Sequence, residues 1–142
     1  MEYLNGEKNG KGKEYNWIGE LKFEGKYLNG KRLKGKEYYE EDKLKFEGEY
    51  LNGERNGKGK EYFKNGELCF EGEYLNGKRW NGKGKEYNYN DKVVYDGEYF
   101  NGKRNGKGKE YDYEGKLRFE GEYLNGEKNW KGKKYYYDND VF

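Results

Sequence analysis

The chain has 142 residues, of which 41% are charged and only 31% belong to the hydrophobic class. That balance excludes a thick aliphatic core and leaves 18 Tyr and 7 Phe to supply a thin one made of rings. A net charge of +2 excludes a general nucleic-acid binder, and the absence of His, Ser and Thr excludes imidazole ligands and hydroxyl triads.

From the N-terminus the chain repeats itself. Tyr-Leu-Asn-Gly begins at Tyr3, Tyr27, Tyr50, Tyr74, Tyr99 (with Phe100 for Leu) and Tyr123, at spacings of 24, 23, 24, 25 and 24. A second cassette, Lys-Gly-Lys-[Glu/Lys]-Tyr, keeps step from Lys11, Lys34, Lys58, Lys83, Lys107 and Lys131. A fixed period of this size signals a stacked array. We divide residues 1–142 into one array of six units, approximately 1–22, 23–45, 46–69, 70–94, 95–118 and 119–142.

Within a unit the elements follow in order. Leu44, Phe46, Gly48 and Tyr50 alternate with charged residues, which predicts a strand with one buried face. Asn52-Gly53 follows, and Asn56-Gly57 is expected to close a short loop. Lys58 to Phe63 reads as the return strand, and Asn65-Gly66 turns the chain towards the next unit. Aromatic rings are expected to lie across the strand glycines. Strict alternation from Gly57 and Gly59 would put Glu61 on their face, so we expect a bulge near Lys60-Glu61 or Tyr62 on the opposite face. Glu47 and Glu49 are placed opposite Lys58 and Lys60 as cross-strand ion pairs. The fold class predicted is all-β: a single elongated, twisted antiparallel meander sheet of about 12 strands built from six β-hairpin repeats.

Phe119-Glu-Gly-Glu-Tyr-Leu-Asn-Gly126 and Tyr95-Asp-Gly-Glu-Tyr-Phe-Asn-Gly-Lys-Arg-Asn-Gly-Lys-Gly108 resemble the MORN repeat (membrane occupation and recognition nexus). Asn65-Gly66-Glu67-Leu68 leading into Phe70-Glu-Gly-Glu-Tyr74 is similar to the bacterial variant of that repeat, a form that occurs in antitoxin-type proteins. Leu33-Lys34-Gly35 shortens the second unit, Trp80 lengthens the fourth, and Trp130 replaces a glycine in the last. The resemblance implies an antiparallel sheet used for protein interaction or dimerisation, with phosphoinositide and membrane association also attributed to the family.

Three functions are therefore weighed. In the first, a non-catalytic scaffold binds a protein partner or a second copy of itself through an aromatic sheet face and its terminal strands, with Tyr27, Tyr50, Tyr74, Tyr99, Tyr123 and Trp130 as the contact residues. In the second, a basic loop edge bearing Lys31, Arg32, Arg55, Lys78, Arg79, Lys103 and Arg104 meets anionic lipid head groups. Antitoxin-like partner binding is the third.

An enzyme is not expected, because the carboxylates repeat identically in every unit while catalysis needs one singular pocket. No cofactor and no metal site are expected; Cys69 is the single thiol and reads as incidental, and Glu40-Glu41-Asp42 reads as a solvated turn. Without a signal-type apolar run the expected location is the cytoplasm, peripheral to a membrane on the lipid reading. On the scaffold reading, Tyr74→Ala should cost about 3 kcal/mol and Arg79→Ala should not.

Overall fold

Alternation of ring and charge, broken by glycine and Asn-Gly, yields strands and tight turns among the described residues. The computed structural model describes residues 2–4, 7–129 and 131–137. Its strands are β1 (Glu2–Leu4), β2 (Glu7–Tyr15), β3 (Leu21–Leu28), β4 (Lys31–Tyr38), β5 (Leu44–Leu51), β6 (Glu54–Tyr62) and β7 (Leu68–Leu75). They continue as β8 (Lys78–Tyr87), β9 (Val93–Phe100), β10 (Lys103–Tyr111), β11 (Leu117–Leu124), β12 (Glu127–Lys128) and β13 (Lys133–Lys134). Strands β1 to β12 follow one another in chain order as a single open antiparallel meander, and β13 pairs with β11. A short 3-10 turn at Glu40–Asp42 is the one addition to the strands among the described residues. The chain divides into two compact units, Met1–Arg79 and Trp80–Phe142.

The connection inside each repeat is shorter than the sequence suggests. Leu51 pairs directly with Glu54, so Asn52-Gly53 forms a two-residue turn with both residues in the left-handed region, at φ 51° and 82°. Asn56-Gly57 does not close a loop. It lies inside β6, where Gly57 at φ +89° bulges the strand and shifts its register against β5. The short side chain and left-handed freedom of Asn-Gly serve both a turn and a bulge, which is why the two were not separable by pattern.

That bulge frees Asn56 for a second task. Its Oδ1 accepts the Asn76 amide of the next turn at 3.2 Å, and the Gly77 amide donates to the Arg55 carbonyl at 2.9 Å. The same double tie joins Asn9 to Asn29, Asn81 to Asn101 and Asn105 to Asn125. Leu33 stands where the second repeat would need its Asn-Gly, and among the described residues the Asn52 and Gly53 amides have no such tie. Hydrogen exchange at Asn52 and Gly53 should therefore run close to the rate of a free chain, with Asn76, Gly77, Asn101 and Gly102 protected. Equal protection at all these turns would show that the tie does not govern local opening.

The core is one layer of rings on one face. Phe23, Phe46, Phe70, Tyr95 and Phe119 are at most 1% exposed. In the first unit Phe23 meets Tyr27 and Tyr50 edge-on, and Phe46 meets Tyr50 and Tyr74 edge-on, at centroid distances of 5.1 to 5.7 Å. In the second, Tyr95 meets Tyr99 and Tyr123 in the same way. Each such pair contributes about 0.5–1.5 kcal/mol beyond the area it buries. The rings do lie across the strand glycines: a Cβ on Gly59 would stand 2.7 Å from Phe46 and 2.9 Å from Tyr74.

Candidate functional site

On the ring face, a charged ladder seals the core. The register shift expected near Lys60-Glu61 falls between Glu61 and Tyr62. Regular alternation from Gly59 up to that point puts Glu61 on the ring face, and Tyr62 lies on the other, where its hydroxyl donates to Glu47 at 3.0 Å. Glu61 accepts the Tyr74 hydroxyl at 2.6 Å and two nitrogens of Arg79 at 3.1 and 3.2 Å. The Arg79 guanidinium in turn covers the Phe70 ring, 4.8 Å from its centroid. Glu14, Glu37 and Glu86 repeat this arrangement with Arg32, Arg55 and Arg104, and Glu110 does so with Lys128 in place of the arginine.

These contacts set the protonation states. The Arg32 guanidinium, against the opposing effect of burial, holds Glu14 below the usual carboxylate range. For Glu37 and Glu61 burial favours the neutral acid, but the bonds from Arg55 and Tyr50, and from Arg79 and Tyr74, outweigh it and the net shift is down. Burial, with the adjacent glutamate, pushes Tyr50 and Tyr74 well above the ordinary phenol range, and burial pushes Tyr95 up to about 12. The sign of the linkage follows. Depressed carboxylates stabilise the fold above their unfolded value and lose that contribution as pH falls through the folded one. The raised phenols stabilise it below about pH 10 and lose that contribution above. The urea midpoint should therefore hold from about pH 6 to 9 and drop between about pH 4.5 and 3. A midpoint unchanged at about pH 3 would mean the ladder contributes nothing net.

The ladder decides where the sequence-predicted site residues stand. Tyr27, Tyr50, Tyr74, Tyr99 and Tyr123 are 3 to 9% exposed and pack within the ring layer. Trp130 lies outside the described residues. Arg32, Arg55, Arg79 and Arg104 do not line an edge: they are half-buried on the ring face and committed to glutamates. Of the seven cations, Lys31, Lys78 and Lys103 are the exposed ones beside the turns, and Glu54 occupies the equivalent place in the third repeat. Successive strand side chains point to opposite faces, which separates the four arginines from Lys31, Lys78 and Lys103. The expectation that Arg79→Ala is harmless is corrected for the same reason.

The opposite face carries a feature the sequence reading missed. Gly35, Gly48, Gly59 and Gly72 pair directly with one another across four strands. Their Cβ directions face the rings, so on this side they offer bare backbone as the floor of a groove of about 590 Å³ in the first unit. Its walls are Lys34, Lys36, Glu47, Glu49, Lys58, Lys60, Glu71 and Glu73, the residues on either side of each glycine. A similar groove of about 630 Å³ in the second unit is floored by Gly97, Gly108 and Gly121. Glu47 faces Lys60 as expected, and Glu49 accepts the Lys58 amide at 2.7 Å. Beyond the walls, exposed Leu28, Leu51 and Leu75 stand at the turn end of β3, β5 and β7. The signal for the groove was the common register of the glycines, which the repeat period contained but single-strand patterning does not reveal.

Other chemistry is sparse. Cys69 is buried, burial pushes its thiol up, and Arg79 Nη2 lies 3.8 Å from its sulfur. Among the described residues no group of three or more His, Cys, Asp and Glu side chains is gathered as for a metal ion. No helix among them is long and apolar enough to cross a membrane.

No curated protein sequence matches the chain. The family model for the MORN repeat matches residues 2–16, 46–67, 95–116 and 119–141, together more than half of the chain. With a periodic hairpin meander, ring-covered strand glycines and that match, this chain belongs to the MORN repeat family.

Proposed function

We propose that the chain is a non-catalytic scaffold that binds a protein partner in the glycine-floored groove of its solvent face. The observation that carries this reading is the contrast between the two faces. The ring face is saturated by its own arginines and tyrosines, and the expected contact residues Tyr27, Tyr50, Tyr74, Tyr99 and Tyr123 are inside it. The other face offers a concave floor of bare backbone between walls of charge, flanked by exposed leucines. Concavity, apolar stems and fixed charges together suit a specific protein contact better than a flat solvated face.

A photo-crosslinking residue at Lys58, within the groove, and another at Lys31, beside the turn, test the reading in extract of the source organism and with anionic vesicles. Discrete protein adducts from position 58 and none from 31 support it. Adducts equal at both positions, or vesicle binding that is lost when Lys31, Lys78 and Lys103 are neutralised, overturn it in favour of the lipid edge.

A further inference from the structure

We propose that the fold selects Asn52 for spontaneous deamidation, through an imide closed by the Gly53 amide nitrogen, while it shields the other described Asn-Gly pairs. The site does not depend on what the groove binds.

Asn-Gly is the pair in which this reaction meets least steric resistance, because glycine sets no Cβ beside the attacking nitrogen. The Gly53 amide gives its proton to base, and its nitrogen attacks Cγ of Asn52. The N–Cγ bond forms, the Cγ–Nδ2 bond breaks, and Nδ2 leaves with a proton as ammonia. Water then opens the five-membered imide at one of its two carbonyls, giving aspartate or isoaspartate. An amide and a water thus become a carboxylic acid and ammonia. Two conditions govern the rate in a folded chain. The glycine amide must be open to base, and the main chain must be free to turn until that nitrogen faces Cγ.

The other described pairs fail these conditions. At the hairpin turns the amides of Gly30, Gly77, Gly102 and Gly126 donate to carbonyls one repeat earlier at 2.8 to 2.9 Å. The amide of the asparagine before each donates to an asparagine Oδ1, also one repeat earlier. In the strand bulges, Gly10, Gly57, Gly82 and Gly106 are paired with tyrosines of the next strand. The asparagine before each is the one whose Oδ1 is taken by the following turn. Between repeats, Gly66 donates to the Phe63 carbonyl at 2.8 Å, and Asn65 Oδ1 accepts the Glu67 amide at 2.9 Å.

Asn52-Gly53 has neither tie, because Leu33 stands where the preceding repeat would carry its bulge pair. Both residues are exposed. Local sequence cannot account for a difference, since Phe46 to Glu54 is identical to Phe119 to Glu127. In the second copy of that segment the Asn125 amide donates to Asn105 at 3.1 Å and the Gly126 amide to the Arg104 carbonyl at 2.8 Å. What separates Asn52 from Asn125 is thus a residue one repeat away. The products act on a tight place. Leu51 pairs directly with Glu54 across the turn, and isoaspartate adds a methylene to the main chain between them. Either product adds a carboxylate beside Glu54.

The full chain is incubated at mildly alkaline pH, folded in one sample and unfolded in urea in another. Proteolytic peptides are followed by mass spectrometry, with isoaspartate separated from aspartate by chromatography. In urea, Asn52 and Asn125 should react at one rate. In the folded chain Asn52 should react about tenfold or more faster than Asn76, Asn101 and Asn125, because two hydrogen bonds must open first at each of those turns. A variant with Leu33→Asn and a glycine inserted after it, checked for native circular dichroism, supplies the missing pair and should slow Asn52 to the rate of Asn76. If that variant fails to fold, Asn56→Ala takes its place; it removes one of the two bonds over Asn76-Gly77 and should raise the rate at Asn76.

A folded chain in which Asn52 reacts no faster than Asn76 overturns the proposal. So does a preference for Asn52 over Asn125 that persists in urea, or a rate that the tested variant leaves unchanged.

Discussion

Glu61→Ala should destabilise the chain by about 3 kcal/mol or more, because it breaks a largely buried ion pair and leaves its partners in place. Glu61 is 23% exposed and Arg79 20%. Removing the carboxylate takes the acceptor from the Tyr74 hydroxyl and two hydrogen bonds from the guanidinium over Phe70. Arg55 Nη1, 3.7 Å away, loses a second neighbour. Glu71→Ala is the control: that side chain is 57% exposed, its lysine contact is 3.7 Å long, and the cost should be within about 0.5 kcal/mol. A cycle with Arg79→Ala, read from urea midpoints at constant m-value, should give strong coupling at Glu61 and none at Glu71. Equal small effects at both glutamates would remove the ladder from any account of stability.

The second large effect is expected from a single methyl group. In Gly48→Ala the new Cβ would lie 2.5 Å from the Lys58 carbonyl oxygen, 2.7 Å from the Gly59 Cα and 2.8 Å from Phe46. Two of these atoms are backbone of the paired strand and cannot rotate away. Relief requires the strands to part, so the cost should reach about 3 kcal/mol, the upper range of overpacking. Gly66→Ala meets nothing within 4 Å and suffers only its left-handed φ of +93°, a cost of about 1–2 kcal/mol. Thermal melts of the two variants separate close approach from backbone strain. A Gly66 variant as unstable as the Gly48 variant would refute the distinction.

Much of this fold was legible in the chain. Leu44, Phe46, Gly48 and Tyr50 announced a strand with one buried face, and Asn52-Gly53 announced its turn. Of the two outcomes expected beyond Gly59, Tyr62 does lie on the opposite face, and a register shift follows directly after Glu61. What escaped was the destination of Glu61 and Arg79. Charged residues beside a turn ordinarily point to water, so the alternation that placed Glu61 on the glycine face read as a conflict to be relieved and not as its true position in the ring layer. Its partners lie 13 and 18 residues away and are chosen by strand pairing. The groove escaped for a related reason: a glycine row is a property of register between strands, and no one strand contains it.

Those two intervals have a consequence for how the array can change length. The hydroxyl bond to each glutamate spans 13 residues at Tyr27, Tyr50, Tyr74, Tyr99 and Tyr123, and the guanidinium bond spans 18 at Arg32, Arg55, Arg79 and Arg104. Neither interval changes although the repeats themselves differ in length. All the variation falls between an arginine and the next glutamate, where Leu33 shortens the chain and Trp80 lengthens it. Insertions and deletions in that short stretch leave both of these bonds intact, while one between glutamate and tyrosine disrupts both and one between tyrosine and arginine disrupts the guanidinium bond. The array is thus written with one elastic syllable per repeat, and copying a whole period lengthens it without asking any existing residue for a new partner.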